Sequence, residues 1–257
     1  MGESTVVIVL LVLIAAGAFY LVNQQAARRR QELEDAKSDA RRWVERLGGQ
    51  VLNLTGSDVA SQQAIADAAE RYNAAGSQIE QATTVRQAKL VTDTALEGLY
   101  YVRAARIAMG MDPGPALPED AERTRAGKVT EERGVNVDGH HYDLSPQPGQ
   151  ATPHYYPGGR VAGRPVPEGW YSEPWWKPAL RTGAWTMGSM FLFSAMFSGM
   201  SGIASAQAWE SGYDAGQQDA LESGDAGGDA GGDYGGGSDF GGDAGGDLGG
   251  FGDFGGF

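Results

Sequence analysis

An uncharged apolar run near the N-terminus, from Thr5 to Val22, constrains the rest of the chain most strongly. At about 1.5 Å per residue, a helix of this length just crosses the roughly 30 Å hydrocarbon core of a bilayer. Each unpaired backbone group in lipid costs several kcal/mol, so only a helix can satisfy the segment there. We therefore predict a transmembrane helix over 5–22, preceded by a short external N-terminus at 1–4.

Charges on the two sides of this run predict its orientation. Arg28, Arg29 and Arg30 follow it, whereas Glu3 is the only charged side chain before it. Basic residues hold their flank in the cytoplasm, which places the N-terminus outside. A cleaved signal peptide is the alternative, but it would carry its basic residues before the apolar run. An uncleaved anchor is therefore the preferred interpretation.

The segment 24–110 is predicted to be a helical, coiled-coil-like module. It lacks proline and is rich in good helix formers. Apolar residues recur in steps of three or four, as on one face of a helix. The members of the three stripes are Leu33, Ala36, Ala40, Val44, Leu47, Val51 and Leu54; Ile65, Ala68, Tyr72, Ala75 and Ile79; Val85, Ala88, Val91, Ala95, Leu99, Val102 and Met109.

Helix-capping residues and glycines divide this module into antiparallel helices. Ser57 and Asp58 are good N-caps for a second helix, and a third is predicted to begin near Thr83 or Thr84. Gly76 either ends a helix or lies within one long helix. The stripes are rich in alanine and bury little area, so the module is expected to gain stability from a protein partner or from self-association.

The segment 111–182 is predicted to be a Pro- and Gly-rich connector, because helical periodicity stops at Pro113. Asp138-Gly139 between alternating apolar and polar residues predicts a hairpin near 132–145. The glycine-spaced stretch 158–164 lacks the flanking strand and helix of a nucleotide-binding site and is predicted to be a loop.

All three histidines lie in this connector, at His140, His141 and His154. A metal site would need ligands that converge. Neighbouring residues on a strand point to opposite faces, so His140 and His141 are not expected to share an ion. The chain has no cysteine, which removes thiolate ligands and disulfides. We assign no catalytic, cofactor-binding or metal-binding residue, and keep a metal-dependent protein built on these histidines as an alternative.

An aromatic juxtamembrane collar is predicted at 170–176, followed by a second transmembrane helix at 183–208. The rings of Trp170, Tyr171, Trp175 and Trp176 suit the headgroup layer of a bilayer. No charged residue occurs between Arg181 and Glu210. Small residues recur at helical spacing, a pattern typical of packed membrane helices. An interfacial helix or a buried hairpin that does not cross is the alternative.

The segment 209–257 is predicted to be an acidic, Gly-rich, disordered tail, since it has too few apolar groups to offset the entropy of ordering. The net charge is −13, from 33 acidic and 20 basic residues. The tail carries most of the acidic excess and the middle is nearly neutral. This distribution argues against nucleic-acid binding. With both termini outside, residues 24–181 are predicted to be cytoplasmic.

Four stretches carry a resemblance to a known group of proteins. They are QAARRRQELEDAKSDARRWVERLGGQVLNL, LYYVRAARIAMGMDPGP, TPHYYPGGRVAGRPVPEGWYSEPWWKPA and the Gly-Asp-Phe tail. Through them the chain resembles uncharacterised membrane proteins of high-GC Gram-positive bacteria, grouped as a domain of unknown function with an N-terminal anchor, cytoplasmic helices and a Gly-Asp-Phe-rich tail. This resemblance implies no activity, so no functional residues follow from it.

The sequence therefore predicts a mainly α, two-pass membrane protein. Its expected function is that of a non-enzymatic scaffold, which presents the cytoplasmic helical module to partners at the bilayer. The first alternative is the metal-dependent enzyme or metal-binding protein that uses the three histidines. The second is a cell-envelope protein that acts through its external Gly- and Asp-rich tail.

Overall fold

The computed structural model describes residues 2–211, except for the side chains at 3–12 and 14–16. The chain is mainly helical with a small antiparallel sheet, which confirms the predicted class at that level. The tail from 212 onward lies outside the described residues. The elements are α1 (Gly2–Asn53), α2 (Val59–Gln81), α3 (Val85–Ala108), α4 (Ala121–Ala126), β1 (Arg133–Val137), β2 (His140–Ser145), β3 (His154–Tyr156), β4 (Gly159–Val161), β5 (Arg164–Val166), β6 (Gly169–Tyr171), α5 (Lys177–Thr182) and α6 (Met187–Phe197).

Helix α1 contains the predicted anchor and continues without a break into the folded part of the chain. It is 52 residues long. Within the described residues, no helix combines the length and the apolar character needed to cross a membrane. Most of the side chains on which the prediction for 5–22 depends, those at 3–12 and 14–16, lie outside that description.

The N-termini of α2 and α3 are capped by Asp58 and Thr84, two of the predicted positions, and in each case the capping bonds are reciprocal. The Asp58 carboxylate accepts from the Ser61 amide at 2.9 Å, and the Asp58 amide donates to Ser61 Oγ at 3.1 Å. Thr84 and Gln87 form the same pair at the start of α3, at 3.2 and 3.1 Å. These bonds satisfy amides that have no partner within the helix. Gly76 lies inside α2 and does not end it.

The C-terminal part of α1, from Ala40, packs with α2 and α3 as a three-helix bundle, hereafter the helical bundle. Short connections join the helices, so sequential neighbours run antiparallel. Leu47 and Leu99 are buried, as predicted. Glycines permit the closest approaches: a Cβ at Gly98 would lie 2.4 Å from Leu47 Cδ2, and one at Gly48 would lie 2.7 Å from Tyr72 Cε2. The close packing of the bundle therefore requires glycine at these two contacts, in addition to its buried apolar side chains.

Replacing Gly98 by alanine should destabilise the bundle by about 1–3 kcal/mol, because the added methyl group overpacks the contact with Leu47. Gly76→Ala is the matched control within α2. A Cβ at Gly76 meets nothing within 4 Å. That change should stabilise the protein by about 0.5–1 kcal/mol through helix propensity alone. Urea unfolding measures both values, and equal effects from the two substitutions would contradict the packing argument.

The predicted hairpin is confirmed, and it belongs to a larger sheet. Asp138 and Gly139 have φ of 52° and 80°, as a two-residue type I′ turn requires. Strands β1 and β2 pair antiparallel in a four-stranded sheet of order β1-β2-β6-β3.

The prediction of a loop at 158–164 is wrong, because β4 and β5 pair antiparallel there and Ala162 and Gly163, both with positive φ, form the turn between them. Alanine adopts a positive φ rarely, so this turn gave no clear signal.

The prediction of an exposed aromatic collar is wrong, because its rings are packed inside the protein. Tyr171 is fully buried, and Trp170, Trp175 and Trp176 are each at least nine-tenths buried. Tyr171 packs edge-on against Trp176 at 5.1 Å and against Phe197 of α6 at 6.3 Å. The segment 111–182 is therefore more than a connector. Together with 183–211 it forms a folded unit, hereafter the β-unit.

The prediction of a second membrane helix over 183–208 is also wrong. Helix α6 has 11 residues and reaches only about 16 Å. The chain turns after Phe197, with positive φ at Gly199 and Gly202, so no single helix covers 183–208. One face of α6 is buried in the β-unit, where Phe193 stacks on Trp209 at 4.7 Å. Trp209, placed by the prediction at the start of the tail, is thus part of this core.

Side-chain bonds to backbone atoms tie the α6 region to the sheet. Arg133 of β1 donates through Nη1 to the carbonyls of Met196 and Ser198, at 3.0 and 2.8 Å. The indole N–H of Trp185 donates to the Val161 carbonyl at 2.8 Å, and that of Trp209 to the Pro165 carbonyl at 2.7 Å. These bonds fix both ends of the stretch from 185 to 209 onto the β-unit.

Candidate functional site

A groove of about 660 Å³ opens where the β1–β2 turn meets α5 and α6. Its size falls within the range of small-molecule and peptide sites. Aromatic, aliphatic, acidic and basic side chains all line it, among them Asp138, His140, Tyr142, Glu173, Trp175, Arg181, Trp185 and Leu192.

The hairpin side of the groove is polar. His140 Nε2 lies 2.8 Å from Glu173 Oε1, and the His140 ring meets Tyr142 edge-on at 4.6 Å. Burial, with the nearby charges of Glu173 and Asp138, raises the pKa of Tyr142. A phenol is protonated at neutral pH even without this shift, so Tyr142 is a hydrogen-bond donor to the groove.

The helical side of the groove is aromatic. Trp175 and Trp185 lie 5.4 Å apart with tilted rings, and Leu192 of α6 extends this apolar surface. Trp175 Nε1 is buried and has no hydrogen-bond partner among the described residues. A buried donor of this kind costs free energy unless it is paired. The chemistry of the groove suits binding through stacking and hydrogen bonds.

Lys177 joins the groove to the helical bundle. Its ammonium lies 3.1 Å from Asp67 Oδ1, and the Asp67 side chain on α2 is mostly buried. A partly buried ion pair of this kind holds geometry more than it adds stability. The helices therefore fix the position of the first turn of α5, which forms one wall of the groove.

A second charged contact lies among residues where the bundle meets the sheet. Arg71 Nε of α2 is 3.3 Å from Glu97 Oε1 of α3. Burial raises the pKa of Glu97, although the Arg71 charge opposes the shift. Nearby, Tyr101 meets Tyr155 edge-on at 6.0 Å, and the Tyr155 hydroxyl donates to Glu168 at 2.9 Å. Polar and aromatic contacts thus hold the two parts together.

The three histidines singled out in the sequence are not brought together. His140 faces the groove, whereas His141 contacts Asn136 and Asp143, each at 3.0 Å, on the opposite face of β2. His154 lies on β3 beside the helical bundle. Among the side chains that the structure describes, no group of three or more His, Asp or Glu residues is arranged to hold a metal ion.

Stability should fall as the pH falls through the range in which His154 titrates. Burial lowers the pKa of His154 below its ordinary value of 6.5; Lys177 adds to this, while Asp67 and Glu173 oppose it. The unfolded chain then binds the proton more tightly than the folded chain does. The stabilisation is complete above the unfolded pKa and is lost as the pH falls below it. We expect the contribution of His154 to the urea midpoint to fall between pH 7.5 and pH 5, against the opposite contribution of Glu97, whose pKa is raised.

His154→Gln should flatten this part of the pH profile, because glutamine does not titrate. The Asp58 cap contributes to the pH dependence of stability in a different pH range. Its bonds to Ser61, that to the backbone amide above all, lower its pKa below 3.8, so its contribution is lost only at more acidic pH. An unchanged slope between pH 7.5 and pH 5 in the variant would assign the acid sensitivity to another group.

Sequence reasoning missed the groove because its walls come from segments far apart in the chain. The sequence analysis assigned Trp175 to an interfacial collar and Trp185 to a second membrane helix, so it did not place the two rings in one site. The one local signal is the pair of prolines at 174 and 178, which bracket the start of α5. In comparisons with known proteins, no family model, curated protein or solved structure matches the chain.

Proposed function

We propose that the protein is a membrane-anchored, non-enzymatic scaffold that holds a folded head away from the bilayer for recognition by a protein partner. The head is the helical bundle together with the β-unit. One observation carries the proposal: α1 runs unbroken from Gly2 to Asn53. The uncharged run 5–22 lies at one end of this helix, and the other end is built into the core of the head, where Ala40 and Leu47 are fully buried.

Between anchor and head, α1 forms a stalk. From Val22 to Ala40 the helix rises about 27 Å. Side chains from 17 to 32 are almost all exposed, so no other described element packs on this part. Opposite charges stand four residues apart at Arg28 and Glu32 and at Arg30 and Glu34, a spacing that supports a helix in water. A continuous helix of this kind would hold the head at a set height.

The packing of α6 supports one membrane pass in place of two. The stretch 183–211 belongs to the core of the head, so it would lie on the same side of the bilayer as the helical bundle. The basic cluster Arg28–Arg30 favours the cytoplasm for that side. We therefore propose an external N-terminus, with the head and the tail in the cytoplasm.

Single-cysteine labelling tests this topology, because the natural chain has no cysteine. The substitutions are Gly2→Cys, Ser38→Cys, Gln150→Cys and Ser238→Cys, in intact cells treated with a membrane-impermeant maleimide. Gly2, Ser38 and Gln150 are exposed, whereas Ser145 is 6% exposed and would report poorly. We expect labelling at position 2 alone, with the others reacting only after permeabilisation. Labelling at 38 would contradict the proposal.

Two further outcomes separate the alternatives. Labelling at 238 but not at 150 would restore the second pass and favour an envelope protein that acts through its tail. Deleting 5–22 should move the protein from the membrane fraction to the soluble fraction, because the head alone carries no anchor in this proposal. A deleted protein that stays with the membrane would show that the head itself binds the bilayer.

A further inference from the structure

A pocket with three arginines lies on the helical bundle, apart from the groove. It has a volume of about 290 Å³. Arg46 and Gln50 of α1 form one wall, and Arg103 and Arg106 of α3 form another. Leu117 belongs to the loop that follows α3 and adds an apolar surface. The pocket thus combines a cationic side with an apolar side.

The charge of this pocket is not balanced from within the protein. Among the described side chains of residues 2–211, none of the three guanidinium groups has a carboxylate within 4.0 Å, although eight of the remaining Arg, Lys and His side chains do. The Nε of Arg106 is buried and has no hydrogen-bond partner in the same range. A buried, unpaired guanidinium nitrogen is costly, and an anion would relieve that cost.

The loop after α3 positions the arginines. Asp112 accepts from the Gly114 amide at 2.7 Å, and Gly114 takes the left-handed conformation with φ of 84°. This turn directs the carbonyls of Gly114 and Pro115 to Arg103 Nη1, each at 3.4 Å. Only Nη1 of Arg103 donates to these carbonyls. The other N–H groups of its guanidinium are available to a ligand with several acceptor oxygens.

We propose that this pocket binds a phosphate group. Three arginines match the charge and the several oxygens of a phosphate, and arginine forks pair with such oxygens bidentately. The volume exceeds that of a bare phosphate, so the apolar wall would contact the organic part of a phosphate ester. Arg46 lies about 36 Å along α1 from Val22, so lipid headgroups of the bilayer that holds the anchor are out of reach. A soluble phosphate ester is therefore the expected source.

Calorimetric titration of the full-length protein in detergent, at constant ionic strength, tests the proposal. The probes are inorganic phosphate, glycerol 3-phosphate and the short-chain lipid dihexanoyl phosphatidic acid. Arg46→Gln is the main variant, because Arg46 is exposed and is packed over Trp43 at 5.3 Å, without a role in holding the loop. We expect saturable phosphate binding that weakens about 10- to 100-fold in this variant, with no change in unfolding temperature without ligand.

Arg42→Gln is the matched control: it lies one turn earlier on α1, pairs with Asp39, and does not line the pocket. Binding should be the same as in the natural protein. Dihexanoyl phosphatidic acid could bind much more tightly than glycerol 3-phosphate, with the binding lost in Arg46→Gln. That result would support a phosphate site in this pocket but would show that its ligand is a lipid, contrary to the expected soluble ester. No saturable binding of any probe, or equal losses from both substitutions, would overturn the proposal.

Discussion

Leu47→Asp is expected to unfold the helical bundle. Leu47 is fully buried and contacts the closest point between α1 and α3, at Gly98. An unpaired charge at such a position costs about 3–5 kcal/mol. Whole domains have stabilities of only about 5–15 kcal/mol, so this one change removes a large part of the folding stability, and all of it at the lower end of that range. Far-UV circular dichroism and urea unfolding of the purified protein measure the loss.

Leu90→Asp is the matched control for that substitution. Leu90 lies in α3 and is 54% exposed, so aspartate there keeps its water. The expected change is within about 0.5 kcal/mol, as for an ordinary surface substitution. If the two substitutions were equally harmful, helix propensity and not burial would account for the effect, and the placement of Leu47 in the core would be wrong.

Trp176→Ala is expected to destabilise the β-unit by about 3–5 kcal/mol, as for a large aromatic side chain removed from a core. Trp176 is 2% exposed and packs against Tyr156 and Tyr171 at ring distances of 4.9 and 5.1 Å. Near-UV circular dichroism should lose intensity, because the aromatic cluster then loses its fixed packing. Thermal unfolding followed at the same wavelengths gives the size of the loss.

Phe191→Ala is the matched control on α6, since Phe191 is 67% exposed. We expect a change within about 0.5 kcal/mol in water. The pair of variants also separates two interpretations of the region. If Trp176 lay at a bilayer surface, as its sequence context suggested, its removal would weaken membrane association and leave the near-UV spectrum of the detergent-purified head unchanged.

Local sequence signals predicted the features that depend on a few neighbouring residues. Asp58 and Thr84 cap helices because their side chains reach amides three positions away. Asp138-Gly139 makes a tight turn because both residues tolerate a positive φ. The spacing that includes Leu47 and Leu99 predicted which side of each helix is buried, since a helix repeats every 3.6 residues. None of these outcomes requires a distant part of the chain.

The tertiary structure alone decided the fate of the aromatic and apolar residues from 170 to 209. Trp176 and Phe193 would leave water equally well for a bilayer or for each other, and the hydrophobic effect has no direction, so the sequence pattern is the same in both cases. Which of the two environments they enter depends on distant partners. One of these is Arg133, whose guanidinium donates to the backbone carbonyls of Met196 and Ser198 at the end of α6. The groove and the arginine pocket each depend on long-range contacts of their own, because each is lined by segments that are far apart in the sequence.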